Sequence, residues 1–261
     1  MTSIERLLEI MDRLRDPESG CPWDRQQTFD SIVPHTLEEA YEVAEVIESG
    51  RYDALAAELG DLLFQIVFYA RMAKERGWFD FESVAGAICE KLVARHPHVF
   101  AGAAVGDARE QARLWEAIKA RERRAGNAAA GTLAGIALSL PAVTRAAKLQ
   151  RRAAQVGFDW PDAGPVFDKI LEELGEVRDS LAQGPERRAA EVGDLLFACV
   201  NLARHLDVDP EQALRGANAR FERRFVHIEK SLAAQGKAVA EATASEMEAL
   251  WEESKRADDG R

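Results

Sequence analysis

The chain has 261 residues, 47% apolar and 30% charged, enough for one large or two small globular domains with buried cores. Its 34 Lys+Arg stand against 45 Asp+Glu, and the net charge of −11 excludes general nucleic-acid binding, which needs a basic surface that releases counterions. Aromatic residues at 7% and only 9 prolines fit a helical chain better than a strand-rich one.

Residues 1–15 carry Ile4, Leu7, Leu8, Met11 and Leu14 with charges between them, the pattern of an amphipathic helix and not the unbroken apolar core of a signal peptide. A turn-rich stretch, DPESGCPWD, follows at 16–24. The second helix is expected from Pro34 to Glu48, ahead of Ser49-Gly50. The third is expected from Asp53 to Arg76, with Leu55, Leu59, Leu62, Leu63, Ile66, Val67 and Ala70 on one face and Gly77 as its stop. A fourth is expected over Phe81–Arg95, ending before Pro97, and a fifth over Ala108–Arg124. RRAGNAAAGTLAG (123–135) then reads as a linker, giving domains at 1–122 and 138–261 joined by 123–137. The pattern restarts with Pro141–Val156, stopped by Gly157. A helix opened by Gly164-Pro165 runs to near Gly184, the next from Pro185 to Leu206, and another from Asp209-Pro210 to Ala234. Thr243 and Glu246 have capping-box spacing and open the last helix. No stretch approaches the roughly 18 apolar residues of a membrane span; the richest, Leu62–Met72, is broken by Gln65 and Arg71. Cys21, Cys89 and Cys199 form no CxxC and fit buried thiols in a reducing cytoplasm.

The two halves repeat one another. LEEAYEV (37–43) matches LEELGEV (171–177), AAELGDLLFQIVFYARMA (56–73) matches AAEVGDLLFACVNLARHL (189–206), and Trp115-Glu-Ala-Ile-Lys119 matches Trp251-Glu-Glu-Ser-Lys255, in the same order. An apolar face alone would not demand the same acids twice.

Residues three apart share a helix face, so Glu39 pairs with Glu42, and Glu58 with Asp61 on the next helix. A short connection makes the two helices antiparallel neighbours, and four carboxylates can then converge between them. Glu173, Glu176, Glu191 and Asp194 repeat the arrangement. Four packed carboxylates raise each other's pKa. A divalent cation removes that penalty, and all-oxygen ligands favour Mg2+, with Mn2+ as a substitute, over Zn2+. The plainer reading is a solvated acidic face, with Glu39 completing a capping box with Thr36. The twofold recurrence of both motifs, inside the most apolar helix of each half, weighs against it. A di-iron bundle would place Glu-x-x-His pairs on its helices, and none of His35, His96, His98, His205 or His227 lies three residues after a Glu. His96-Pro-His98 follows a helix end and reads as structural.

Lys91 and Arg95, and Arg220 and Arg224, are spaced i, i+4 on the helices after each ExxD. Trp115 and Lys119, and Trp251 and Lys255, repeat that spacing later. Cations beside an acid–metal cluster are what a polyphosphate needs, and a tryptophan face can stack on a base; the competing assignments are surface ion pairs and core aromatics. Arg187, four residues before Glu191, aligns with Asp53 or Ala54 of the first half, so the second half carries an extra cation and is the better candidate catalyst. Trp23 and Trp160 read as packing residues. The cysteines lack the spacing and the His partners of nucleophiles.

These features resemble the MazG family of nucleoside triphosphate pyrophosphohydrolases. The resemblance is carried by residues 4–43 and 58–73, RHPHVF (95–100), VGFDW (156–160), 191–206 and ANARFERRF (217–225). The family's EExxE and ExxD motifs stand as Glu38-Glu39-x-x-Glu42 with Glu58-x-x-Asp61, and as Glu172-Glu173-x-x-Glu176 with Glu191-x-x-Asp194. The resemblance implies an all-α chain of two tandem four-helix-bundle units, a homodimer, and Mg2+-dependent hydrolysis of NTPs and dNTPs to the monophosphate and diphosphate, in nucleotide-pool cleaning or alarmone-linked regulation. Carried over residue by residue, Glu173, Glu176, Glu191 and Asp194 are implied as metal ligands and catalytic acids, with Glu172 as the base that orients water. Glu39, Glu42, Glu58 and Asp61 are the corresponding metal ligands of the first half. Lys169, Arg187, Arg220, Arg224, Trp251 and Lys255 are implied as nucleotide contacts. Lys is common in the family where Arg187 and Arg220 stand, and the two side chains are not equivalent. The competing function is a nucleotide-binding regulatory protein with little turnover, which would bind triphosphate without releasing products.

Overall fold

The computed structural model describes residues 1–102, 107, 111, 114–115, 118 and 131–259. Among them the chain is all-α, with no strand, and it divides into two compact units, Met1–Arg124 and Ala125–Arg261.

The first unit holds α1 (Ser3–Leu14), α2 (Pro22–Gln26), α3 (Phe29–Glu48), α4 (Leu55–Glu75), α5 (Phe81–Arg95) and α6 (Pro97–Phe100). Side-chain caps start three of them: Thr2 bonds Glu5, Thr28 bonds Ser31, and Asp80 bonds Ser83. The Thr28 box explains why α3 begins five residues before the expected Pro34, which lies inside the helix. Thr36 caps nothing. Its hydroxyl contacts the Ile32 carbonyl at 3.1 Å and the Tyr69 hydroxyl at 2.9 Å, which ties α3 to α4. Met11, Ile32, Val67, Phe68 and Met72 form the core, with Leu7, Leu8, Phe29, Leu63 and Phe81 packed around it. Of the expected fifth helix, Gln111, Leu114, Trp115 and Ile118 are described and helical; its other residues, Lys119 included, lie outside the described residues.

The second unit holds α7 (Ala142–Ala154), α8 (Gly164–Asp179), a 3-10 turn at Ser180–Ala182, α9 (Pro185–His205), α10 (Pro210–Ala234), a 3-10 turn at Val239–Glu241 and α11 (Ala244–Asp259). Thr243 and Glu246 form the expected capping box, the Thr243 N–H donating to Glu246 Oε2 at 2.7 Å. Within this unit α8 packs on α9, α10 on α11, and α7 on both α9 and α10. Of the expected linker, 123–130 lies outside the described residues. The following segment is held to the second unit: Arg152 Nη1 donates to the Thr132 and Ala134 carbonyls, and Ile136 is buried.

The repeat is structural as well as textual. In the register that aligns the acidic motifs, buried Ile32 and Val46 of α3 fall on buried Val166 of α8 and Ser180 just after it. Buried Gln65, Val67 and Phe68 of α4 fall on buried Ala198, Val200 and Asn201 of α9. Both second helices end in the same C-terminal motif. Gly77 takes φ 69° after α4, and Asp207 takes φ 59° after α9, with Trp78 N–H returning to Ala73 and Val208 N–H to Ala203.

One correction concerns the cysteines. All three are free, but Cys89 and Cys199 are exposed and Cys21 is only half-buried, because α5 and α9 turn those positions outward.

Each unit also has an arginine clasp. Arg204 of α9 pairs with Asp159 and donates from Nε to Asn201 Oδ1 at 2.9 Å, while His205 Nε2 lies 3.2 Å from Asp159. In the first unit buried Arg15 donates to both Glu75 oxygens, at 2.8 and 2.7 Å, and to the Asp24 carbonyl. It locks the ends of α1, α2 and α4. The Arg15 guanidinium holds the Glu75 carboxyl below its ordinary range. A depressed carboxyl stabilises the fold above its unfolded pKa and loses that contribution as pH falls through the folded value. Glu75→Gln is therefore expected to cost about 2 kcal/mol at neutral pH. Denaturant melts should show the wild-type advantage vanishing under strong acid; an advantage that persists there would mean the pair is not the cause.

Candidate functional site

The ExxE and ExxD motifs lie on the two helices that pack most closely in each unit, α3 with α4 and α8 with α9. Both motifs use i, i+3 spacing, so each helix turns its acids toward the other. In the first unit carboxylate oxygens of Glu39, Glu58 and Asp61 lie within 4.8 Å of one another; in the second, those of Glu173, Glu191 and Asp194 do. Three of each expected quartet thus converge. The fourth lies beside the cluster, Glu42 against Glu39 and Glu176 against Glu191.

The electrostatics follow from that crowding. Burial raises the Glu39 carboxyl above its ordinary value, and the adjacent Glu42 carboxyl and the charges of Asp61 and Glu38 push it further. Glu176 is raised chiefly by sharing a hydrogen bond with Glu191, then by burial and by the charges of Glu191 and Glu173.

The second cluster is the more deeply set. Glu173 is 5% exposed and Glu191 2%. Lys169 Nζ lies 2.7 Å from Glu173 Oε1 and 2.9 Å from Glu172 Oε1, and its own pKa is raised by both bonds. Arg187 Nη2 lies 2.5 Å from Glu191 Oε1. The remaining Glu173 oxygen, Oε2, is buried with no hydrogen-bond partner. A buried carboxylate oxygen without a donor is costly, and it lies in a set of hard oxygen donors that suits a small divalent cation. Glu172, expected as the base, is exposed and bonded to Lys169, outside the three converging acids.

The other expected nucleotide contacts form a group on α10 and α11. Arg224 Nε donates to Asp258 Oδ2 at 2.9 Å, and its guanidinium lies over the Trp251 ring, 5.7 Å from the centroid. Trp251 packs at 5.3 Å on Phe221, and Lys255 Nζ pairs with Glu252 at 2.6 Å. Arg220 is exposed and, among the described residues, has no carboxylate partner. No hydrogen bond, ion pair or ring contact joins this group to the acids of α8 and α9 among the described residues.

Two tryptophans differ from their sequence assignment as packing residues, whereas His96 and His98 keep theirs as structural ones. Trp23 and Trp160 are 52% and 41% exposed, so neither is buried within its unit. His96 Nδ1 contacts the Leu92 carbonyl at 2.7 Å and His98 Nδ1 contacts Gln111, so both histidines are used locally. Asp159, within the VGFDW stretch, carries no role in the spacing argument; its partner Arg204 lies on another helix and nothing local in the sequence links them.

Replacing one of the crowded acids by its neutral isostere tests the repulsion. Glu39 is a raised carboxyl, so its charge costs stability in full above its folded pKa, and the cost fades to nothing as pH falls below the ordinary carboxyl value of the unfolded chain. Glu39→Gln is expected to raise the melting temperature of the chelator-treated protein by about 2–4 °C at neutral pH. The difference should close in acid, and scanning calorimetry at the two pH values would expose the opposite order.

A family profile described as "MazG nucleotide pyrophosphohydrolase domain" matches residues 27–100. The chain is 51% identical over 259 residues to the "Nucleoside triphosphate pyrophosphohydrolase" of Escherichia coli (strain K12), covering 98% of each chain. It is 43% identical over 255 residues to the "Nucleoside triphosphate pyrophosphohydrolase/pyrophosphatase MazG" of Thermotoga maritima, covering 98% of this chain and 96% of that one. A shorter match, 39% identical over 159 residues, is to the "Nucleoside triphosphate pyrophosphohydrolase" of Mycolicibacterium smegmatis and covers 59% of this chain and 48% of that one.

Proposed function

The chain belongs to the MazG family of nucleoside triphosphate pyrophosphohydrolases, and from that premise we propose how its second unit carries out the reaction. The enzyme hydrolyses a nucleoside triphosphate to the monophosphate and diphosphate. The observation that carries the site assignment is the convergence of Glu173, Glu191 and Asp194 within 4.8 Å. Two of these acids are buried, and Lys169 and Arg187 lie beside them.

Glu173, Glu191 and Asp194 hold Mg2+, with Glu176 at the edge of the cluster, and Mn2+ can stand in. When bound, the ion supplies charge neutralisation for phosphate oxygens and lowers the pKa of a water. Arg220, Arg224 and Lys255 take phosphate oxygens, for which charged forks and ammonium groups are suited. Trp251, already flanked by Phe221 and Arg224, offers a flat face to the base. Water attacks the α-phosphorus, the bond from that phosphorus to the bridging oxygen breaks, and diphosphate leaves. Glu172, exposed at the rim, accepts the proton of the attacking water at a carboxylate oxygen. Substrates include NTPs and dNTPs. The acidic chain leaves nucleic acid out of its partners. No helix among the described residues is long and apolar enough to cross a membrane, and the three unpaired cysteines support a cytoplasmic site.

Glu173→Gln and Asp194→Asn are each expected to lower release of monophosphate and diphosphate by at least about a hundredfold, with unchanged circular dichroism. The assay runs over a panel of NTPs and dNTPs, with Glu58→Gln as the matching change in the first unit. Full turnover in the second-unit variants would move catalysis elsewhere. Triphosphate binding without products in the wild type would favour the regulatory reading.

A second copy covers apolar side chains that a single chain leaves in water. Leu171 and Leu174 of α8 and Val192 and Leu196 of α9 are 68%, 53%, 43% and 61% exposed, an unusual load beside an active site. Light scattering is expected to give twice the chain mass, and Leu196→Glu to shift it toward the monomer; a wild-type monomer would remove the homodimer.

A further inference from the structure

Lys169 and Arg187 occupy the very carboxylates assigned to the metal. The anions are fixed and the cations are not. Glu173 and Glu191 side chains are 6% and 3% exposed, whereas Lys169 and Arg187 are 34% and 60% exposed on long rotatable stems. An i, i+4 pair with its cation in solvent is held only weakly. Glu173 Oε2, buried beside them, still has no partner, so the two cations leave the cluster incompletely satisfied.

The first unit shows that this pairing is not a by-product of the acidic motifs. His35 stands at the position aligned with Lys169 and lies 3.7 Å from Glu38, the counterpart of Glu172. Asp53 or Ala54 stands where Arg187 does. Among the described residues, no Lys or Arg lies within 4.0 Å of Glu39, Glu58 or Asp61.

Charge arithmetic gives the second unit's cations a purpose. Three carboxylates with two monovalent cations carry the same net charge as three carboxylates with one divalent ion. The two cations freed by such a replacement match the anionic oxygens of an incoming triphosphate. We propose that Lys169 and Arg187 are exchangeable counter-ions. In the nucleotide-free protein they neutralise Glu173 and Glu191. A triphosphate draws them onto its phosphate oxygens while a divalent cation takes their place on the acids. Metal and triphosphate therefore bind the second unit with positive coupling, and each is held poorly without the other. This rests on the metal assignment of the preceding section.

The test counts Mn2+ bound to the full-length chain by electron paramagnetic resonance of the free ion. Glu58→Gln and Asp61→Asn are present throughout to silence the first unit. Binding is measured with and without a triphosphate whose α,β-bridging oxygen is replaced by methylene, so that it cannot be cleaved. The analogue is expected to tighten Mn2+ binding by about 10–100-fold. Lys169→Gln with Arg187→Gln should tighten Mn2+ about tenfold in the absence of the analogue and lose most of the coupling. Lys169→Arg, which keeps the charge, should retain it. If the double variant fails to fold, Lys169→Gln alone is read the same way, with half the effect. Mn2+ affinity that falls or stays level in the Gln variants, or coupling that survives in them, overturns the exchange and leaves the metal site standing. No Mn2+ bound by the parent chain in either condition overturns the metal assignment itself.

Discussion

The constraint on which the structure depends is the confinement of like charges between two helices. Glu173 and Glu191 are almost fully buried and share a space under 5 Å across with Asp194. Left alone, such a set would drive α8 and α9 apart or force protons onto the acids. The scaffold answers with packing repeated position by position. Three buried positions of α4 coincide in register with three of α9, and Ile32 and Val46 of α3 coincide with Val166 of α8 and Ser180 after it. Of the four acid-bearing helices α3 alone starts on a side-chain cap, and the arginine clasps tie down the C-terminal ends of α4 and α9.

The two units solve the same problem with different neighbours. Both keep ExxE and ExxD, and both bring three carboxylates together. In the first unit the burden shows as a raised Glu39, crowded by Glu42, Asp61 and Glu38. In the second, Lys169 and Arg187 absorb much of it, and the raised carboxyl is the peripheral Glu176. Burial sharpens the contrast, since Glu39 and Glu58 are only half-buried whereas Glu173 and Glu191 are buried. A buried acid with an assigned counter-charge is a tuned position; a half-buried acid without one is closer to a solvated face.

Much of this is legible in the sequence, for specific physical reasons. The helices expected to end at Arg76, Arg95 and Ala234 carry local stops, and their observed ends fall within one residue of those expected. The acid clusters were legible because i, i+3 spacing on neighbouring helices is itself geometry. Thr28 was hidden behind Pro34: a proline reads as a boundary, yet the capping box upstream of it formed the true one. The short α2 and α6 have too few turns to show periodicity. The pairing of Asp159 with Arg204 joins positions 45 apart and has no local signature. Cysteine exposure is not legible in the sequence, because residue type sets an average burial while helix phase sets the actual one.

Lys169 marks the limit of reading a residue's role from its motif. Resemblance assigns it to the nucleotide, whereas the structure puts it on Glu172 and Glu173. The two placements are compatible if one ammonium serves two anions in turn, because an exposed Lys head moves between acceptors a few ångströms apart at small cost. The acids alone would then not separate the two units, since both units have them. The separation lies in the cations: His35 and an uncharged or acidic residue in one unit, Lys169 and Arg187 in the other. Specialisation of a duplicated helical unit can thus proceed by changing the counter-charges around an unchanged set of ligands, which leaves the packing of the helix pair untouched.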